Sequence, residues 1–142
     1  MALHIRVNCP PFADAIEALA EGLVLLNVVL MSKAEEHGHE VPRLYESRAT
    51  YRRERPGQEF WKGALDALGV AETLSGDCED LASYRAAELR YMDDEQARVV
   101  ILRTERGTFH AVVERADGTI EDPSRICVEL EARRGGKRSK VR

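Results

Sequence analysis

Ser75-Gly76-Asp77-Cys78-Glu79-Asp80-Leu81-Ala82 puts a cysteine where a loop turns into a helix. Strong helix formers follow (Ala82, Ala86, Ala87, Glu88, Leu89) and predict a helix from Leu81 to about Tyr91, broken by Asp93-Asp94. Unpaired N–H groups and the macrodipole at a helix amino terminus favour a thiolate over a thiol. Gly76 offers backbone freedom for a tight entry turn. A cysteine nucleophile is usually presented this way. Asp77, Glu79 and Asp80 oppose it, because three acids raise a thiol pKa by repulsion. The sulfur therefore needs a cation beside it.

Downstream, Arg98–Arg103 has the continuous apolar middle of a strand and Arg106-Gly107 the residues of a turn. Thr108–Glu114 reads as a second strand, Ala116-Asp117-Gly118 as a hairpin, and Thr119–Glu121 as a third strand. His110 lies near the start of the second strand and Asp122 at the end of the third. The hairpin brings them to the same end of adjacent antiparallel strands. His110 can then supply the cation, and Asp122 can fix the tautomer and orientation of its ring. Cysteine, histidine and aspartate each fall at the edge of an element, which favours a triad over three unrelated residues.

Upstream, Leu3, Ile5 and Val7 alternate with polar residues as a half-buried strand does, and Cys9-Pro10-Pro11 ends it. Phe12, Ile16, Leu19, Leu23, Leu26 and Leu30 recur at helical spacing and predict a long helix to about Glu36, closed by Gly38. Its second half is apolar nearly all round, which implies deep burial or a partner surface. His37 and His39 are two metal-type ligands without a third and read as surface histidines. Residues 40–58 form a polar connection, and Phe60 to Leu68 a short second helix ending at Gly69. Helices first and a strand meander afterwards make the class α+β, with N-terminal helices packed on a small antiparallel sheet.

At 142 residues the chain suits one domain, with enough core to need no disulfide or metal staple. Its three cysteines (Cys9, Cys78, Cys127) do not make a disulfide framework and suit a reducing compartment. Net charge is −4 but lopsided: Arg133 to Arg142 hold six basic residues and no acid, leaving 15 basic against 25 acidic residues before them. That tail, with Gly135-Gly136 inside it, is expected to be a disordered basic arm over 133–142, suited to nucleic acid or an acidic protein surface. Residues 1–132 form the domain. Met1–Val7 lacks the pattern of a secretory signal, and the apolar run Leu23–Met31 falls short of the roughly 20 residues of a membrane span.

Gly76-Asp77-Cys78-Glu79-Asp80-Leu81-Ala82, Phe109-His110-Ala111-Val112-Val113, Asp117-Gly118 and Glu121-Asp122-Pro123-Ser124 together resemble the transglutaminase-like branch of the papain-like cysteine peptidases. Trp61 is similar to a tryptophan that often precedes the cysteine in bacterial members. With Leu44-Tyr45-Glu46-Ser47 and Tyr51-Arg52-Arg53-Glu54, the pattern also resembles small proteins encoded among phage and prophage structural genes. The motif-bearing part covers about residues 42–126. The resemblance implies a papain-like core, with Cys78 as nucleophile, His110 as base then acid, and Asp122 as the orienting carboxylate. The implied reaction is hydrolysis or acyl transfer at peptide or isopeptide amides through a thioester. Some relatives bind calcium through acids flanking the cysteine, here Asp77 and Glu79. No glutamine precedes Cys78 as an oxyanion donor, which leaves the Cys78 N–H, Gln58 or Trp61. The expected setting is the cytoplasm, or a virion if phage-encoded. The alternative is the same fold kept as a virion or assembly protein, binding phage structural proteins or its own copies through Leu23–Met31.

Overall fold

The computed structural model describes residues 6–53, 65–66, 69–70 and 74–139, with 65–66, 69–70 and 136–139 described by backbone alone. In chain order the elements are α1 (Ala13–Glu36), a 3-10 turn (Leu44–Glu46), β1 (Thr50–Tyr51), β2 (Leu65–Asp66), β3 (Gly69–Val70), β4 (Ser75–Gly76), α2 (Cys78–Asp93), β5 (Arg98–Arg103), β6 (Phe109–Glu114), β7 (Ile120–Glu121) and α3 (Pro123–Ser139). The arrangement is α+β, as the order of sequence patterns predicts.

α2 is the centre of the molecule. Ala82, Ala86 and Ala87 are fully buried on it and let neighbours approach closely from several sides. α1 packs on α2 and on β5, burying Ala20, Leu23, Val24, Asn27, Met31 and Ala34 at three- and four-residue spacing. Polar clasps fix that docking. Arg90 on α2 holds Glu21 of α1 through two hydrogen bonds of 2.6 and 2.8 Å, and the Ile101 N–H on β5 donates to Glu17 at 3.0 Å. Gly38, at φ 79, turns the chain out of α1 in the left-handed conformation that glycine adopts freely.

β5, β6 and β7 form the expected antiparallel meander, in register Leu102↔His110, Ile101↔Ala111 and Val113↔Glu121. β1 and β4 pair in parallel, Thr50 with Ser75 and Tyr51 with Gly76. That pair brings the residues before α2 alongside a distant stretch of chain, and two-residue strands carry no periodicity by which to foresee it.

Three expectations change. Leu65–Asp66 and Gly69–Val70 form an antiparallel strand pair where a second helix was expected, since so short an apolar run does not distinguish the two by spacing. Arg6 and Val7 are not in a strand, and the rest of that expected element lies outside the described residues. α1 has an 18-residue window of mean hydropathy 1.8, long and apolar enough by composition alone to cross a membrane, a property that packed core helices share. Finally, α3 runs unbroken through Arg133, Arg134, Gly135 and Gly136 to Ser139, where a disordered arm was expected. Basic residues near a helix carboxyl end meet the negative pole of its dipole, which offsets the cost of the two glycines.

Candidate active site

Cys78 is the first residue of α2, and Asp77 is its extended N-cap. The Asp77 side chain accepts the Cys78 N–H at 2.8 Å and the Asp80 N–H, while the Asp77 N–H donates back to the Asp80 side chain at 3.2 Å, closing a capping box. This satisfies orphan donors of the helix start. It also engages the Cys78 N–H, the described candidate for an oxyanion donor; Gln58 and Trp61 lie outside the described residues. Gly76 matters for space. A Cβ there would lie 2.5 Å from the Asp80 Cβ, so any side chain would force the capping carboxylate away. Its φ is not in the left-handed region, and close approach replaces turn strain as the reason for glycine.

Burial pushes the Cys78 thiol up to about 12; the Ala111 backbone amide pulls it down, and Glu79 and Asp77 add repulsion. Burial and acids thus outweigh the helix dipole, and the resting sulfur is a protonated thiol. The thiol donates to Glu79 Oε2 at 3.4 Å. Glu79 is itself buried and carries its pKa up to about 8, through burial first and then Asp77 and Asp80. Its other oxygen, Oε1, is buried and has no hydrogen-bond partner among the described residues. With its pKa at about 8, Glu79 is about half ionised at pH 8. Glu79→Gln removes that repulsion and is expected to lower the thiol pKa by about half a unit. Alkylation of Cys78 at pH 8 should then quicken about threefold. Peptide-resolved iodoacetamide kinetics measure this, and an unchanged rate would rule out Glu79 as the restraint on the sulfur.

His110, on β6, and Asp122, just beyond β7, meet directly: Nε2 to Oδ2 at 2.9 Å, both side chains partly buried. The same aspartate caps α3, its Oδ1 accepting the Arg125 N–H at 3.3 Å. One carboxylate thus has one oxygen fixed by a helix start and the other by the imidazole. The helix behind that cap is not foreseen, although Asp followed by Pro is a start signal: the aspartate caps and the proline takes the first helical position.

The structure therefore joins His110 to Asp122 and sets the Cys78 sulfur against the amide of Ala111, the residue after His110. Among the described residues the sulfur donates to Glu79 and is met by the Ala111 amide, and no hydrogen bond joins it to His110.

Sequence reasoning missed the charged frame behind the pair. Arg85 on α2 binds both Glu88 and Glu121, and lies over the Tyr45 ring at 4.7 Å. Tyr45 and Arg115 also donate to Glu121, the neighbour of Asp122. Burial raises the Glu121 pKa, but the hydrogen bonds from Arg85 and Tyr45 outweigh it and hold the carboxyl below its ordinary range. Tyr51, delivered by β1, hydrogen-bonds to Asp77, and its own pKa is raised to about 12 by burial and that acid. The signal was an acid and a base three residues apart, Arg85 and Glu88, on the helix that Ala82, Ala86, Ala87 and Leu89 bury.

Asp77, Cys78 and Glu79 present ligand atoms within 4.8 Å of one another. Calcium takes six to eight oxygens, and a thiol is a poor ligand for it. Two carboxylates, one of them committed to the helix cap, fall short of such a shell among the described residues. The chemistry below uses no metal. No protein-family model, curated protein or solved structure matches the chain.

Proposed function

We propose that this chain is a cysteine hydrolase or acyltransferase of the transglutaminase-like type, opening peptide or isopeptide amides through a thioester on Cys78. The observation that carries this reading is the Asp122–His110 pair at 2.9 Å, one residue from the strand amide that meets the Cys78 sulfur. With Nε2–H donating to a carboxylate, Nδ1 holds the lone pair and is the atom free to accept a proton.

Because the resting sulfur is protonated, attack begins with its proton leaving Glu79 and passing to His110 Nδ1. This is general-base catalysis and not a preformed thiolate–imidazolium pair. The sulfur adds to the amide carbon, and the imidazolium that forms is stabilised by Asp122. Collapse breaks the C–N bond, the leaving amine takes the proton from His110, and the acyl group stays on sulfur. Water or a second amine then attacks the thioester, giving its proton to His110, and the thiol is restored. Water gives hydrolysis and an amine gives transamidation.

The test is capture of the acyl-type intermediate with an electrophilic peptide aldehyde, located by mass spectrometry. An adduct confined to Cys78 and absent from Cys78→Ala is expected. Equal labelling of Cys9, Cys78 and Cys127, or none, would sink the reading.

A further inference from the structure

α1 buries one face and leaves the other bare. Asp14, Ala18, Gly22, Leu25, Val29 and Lys33 are all exposed, although four of the six are apolar or glycine. They recur every three or four residues and lie within about 100° of one another around the helix, so they form one stripe about 28 Å long. Leu25 and Val29 are each 55% exposed, and Leu26 flanks them at 48%. A Cβ added at Gly22 would meet nothing within 4 Å. These side chains stay exposed although α1 also touches β2.

The stripe reads as its own complement when reversed. Laid antiparallel on a second copy about a twofold axis between residues 23 and 24, Gly22 faces Leu25, Ala18 faces Val29 and Asp14 faces Lys33. Each small residue meets a large one, as interdigitating layers require. Each end pairs an acid with a base, twice over by symmetry. Among the described residues Lys33 pairs with Glu36, at 3.0 Å between exposed side chains, an interaction weak enough to exchange. A lipid bilayer would not match these ionic ends, and the opposite face of α1 is already packed on α2 and β5, so lipid cannot surround the helix.

We infer that the chain forms a twofold dimer through antiparallel pairing of its α1 helices along Asp14, Ala18, Gly22, Leu25, Val29 and Lys33. Such a contact is isologous and closes on itself. It stands independently of the proposed chemistry, because its residues lie on a different element from Cys78, His110 and Asp122.

Sedimentation velocity on the full chain tests it. The wild type is expected to be a dimer at roughly 100 μM, and Leu25→Asp to weaken it about tenfold or more by burying an unpaired charge. Circular dichroism checks that this exposed substitution leaves the fold intact. Asp14→Lys should weaken the dimer roughly fivefold by setting lysine against Lys33, and Asp14→Lys/Lys33→Asp should restore it. The charge series needs no change in the apolar face and stands even where Leu25→Asp fails to fold. A monomeric wild type, a Leu25→Asp dimer as tight as wild type, or charge reversals without effect and rescue would each overturn the proposal. So would a monomer that instead binds phosphatidylcholine vesicles.

Discussion

His110→Ala is expected to slow acylation of Cys78 by about 10²–10⁴-fold, the usual contribution of a positioned general base. The loss should be large here because the sulfur starts as a thiol pushed up to about 12, so at neutral pH very little anion attacks without help. Asp122 separates structure from chemistry, since its two oxygens do different work. Asp122→Asn can keep both the α3 cap and an acceptor for His110 Nε2–H, losing only the charge that stabilises the imidazolium. A reduction of about tenfold with an unchanged Tm is expected, equivalent to roughly 1.4 kcal/mol of barrier. Asp122→Ala removes both contacts, so acylation should fall further while Tm drops with the lost cap, worth about 1 kcal/mol. Single-turnover acylation by an activated ester, followed beside thermal melts, measures all three. Wild-type acylation in His110→Ala would remove that residue from the mechanism.

How much of this could be read from the chain depended on whether a feature was local. The β5–β6–β7 meander follows from continuous apolar runs separated by Arg106-Gly107 and Asp117-Gly118, and the observed strands match the expected ones to within a residue. The meeting of His110 with Asp122 follows from the same hairpin, because antiparallel register carries residues on either side of a turn together. Cys78 was legible as a helix start from the glycine before it and the helix formers after it. What was not legible is long-range. The β1–β4 pair joins residues 25 apart through strands too short to show alternation. The fate of the sulfur was decided by burial, which the acids in Gly76-Asp77-Cys78-Glu79-Asp80 hint at but do not measure. α1 shows the opposite case. Its apolar character all round was plain, but which residues face outward depends on where α2 and β5 sit, and only the structure separates buried Val24 and Met31 from exposed Leu25 and Val29.

The frame that carries Asp122 makes the second large prediction. Glu88 is fully buried, and it accepts the Leu44 N–H at 2.5 Å as well as its ion pair with Arg85. Arg43 reaches it only at 3.6 Å. Arg85→Met therefore strands a buried carboxylate, and breaking such a pair from one side costs about 3–5 kcal/mol. In a domain of this size that lowers Tm by roughly 10 °C. Arg43→Met loses a bidentate pair with Asp93, but both side chains are 37% exposed, so water replaces much of the interaction and well under about 1 kcal/mol is expected. Adding Glu88→Gln to Arg85→Met neutralises the stranded group while keeping an acceptor for Leu44, and should recover at least about 1 kcal/mol in a double-mutant cycle. pH sets the direction of a further check. Glu121 is held below its ordinary range in the fold, so its pairing with Arg85, Tyr45 and Arg115 stabilises above the unfolded carboxyl pKa and is lost as pH falls through the folded one. Wild-type Tm should consequently fall more steeply on acidification than that of Arg85→Met, which has already lost a principal cause of the shift. Parallel acid profiles would mean that Arg85 does not hold Glu121. Because Glu121 precedes Asp122 in the chain, the same substitution should also slow Cys78 acylation at temperatures where the protein remains folded, which links the charged frame to the orientation of His110.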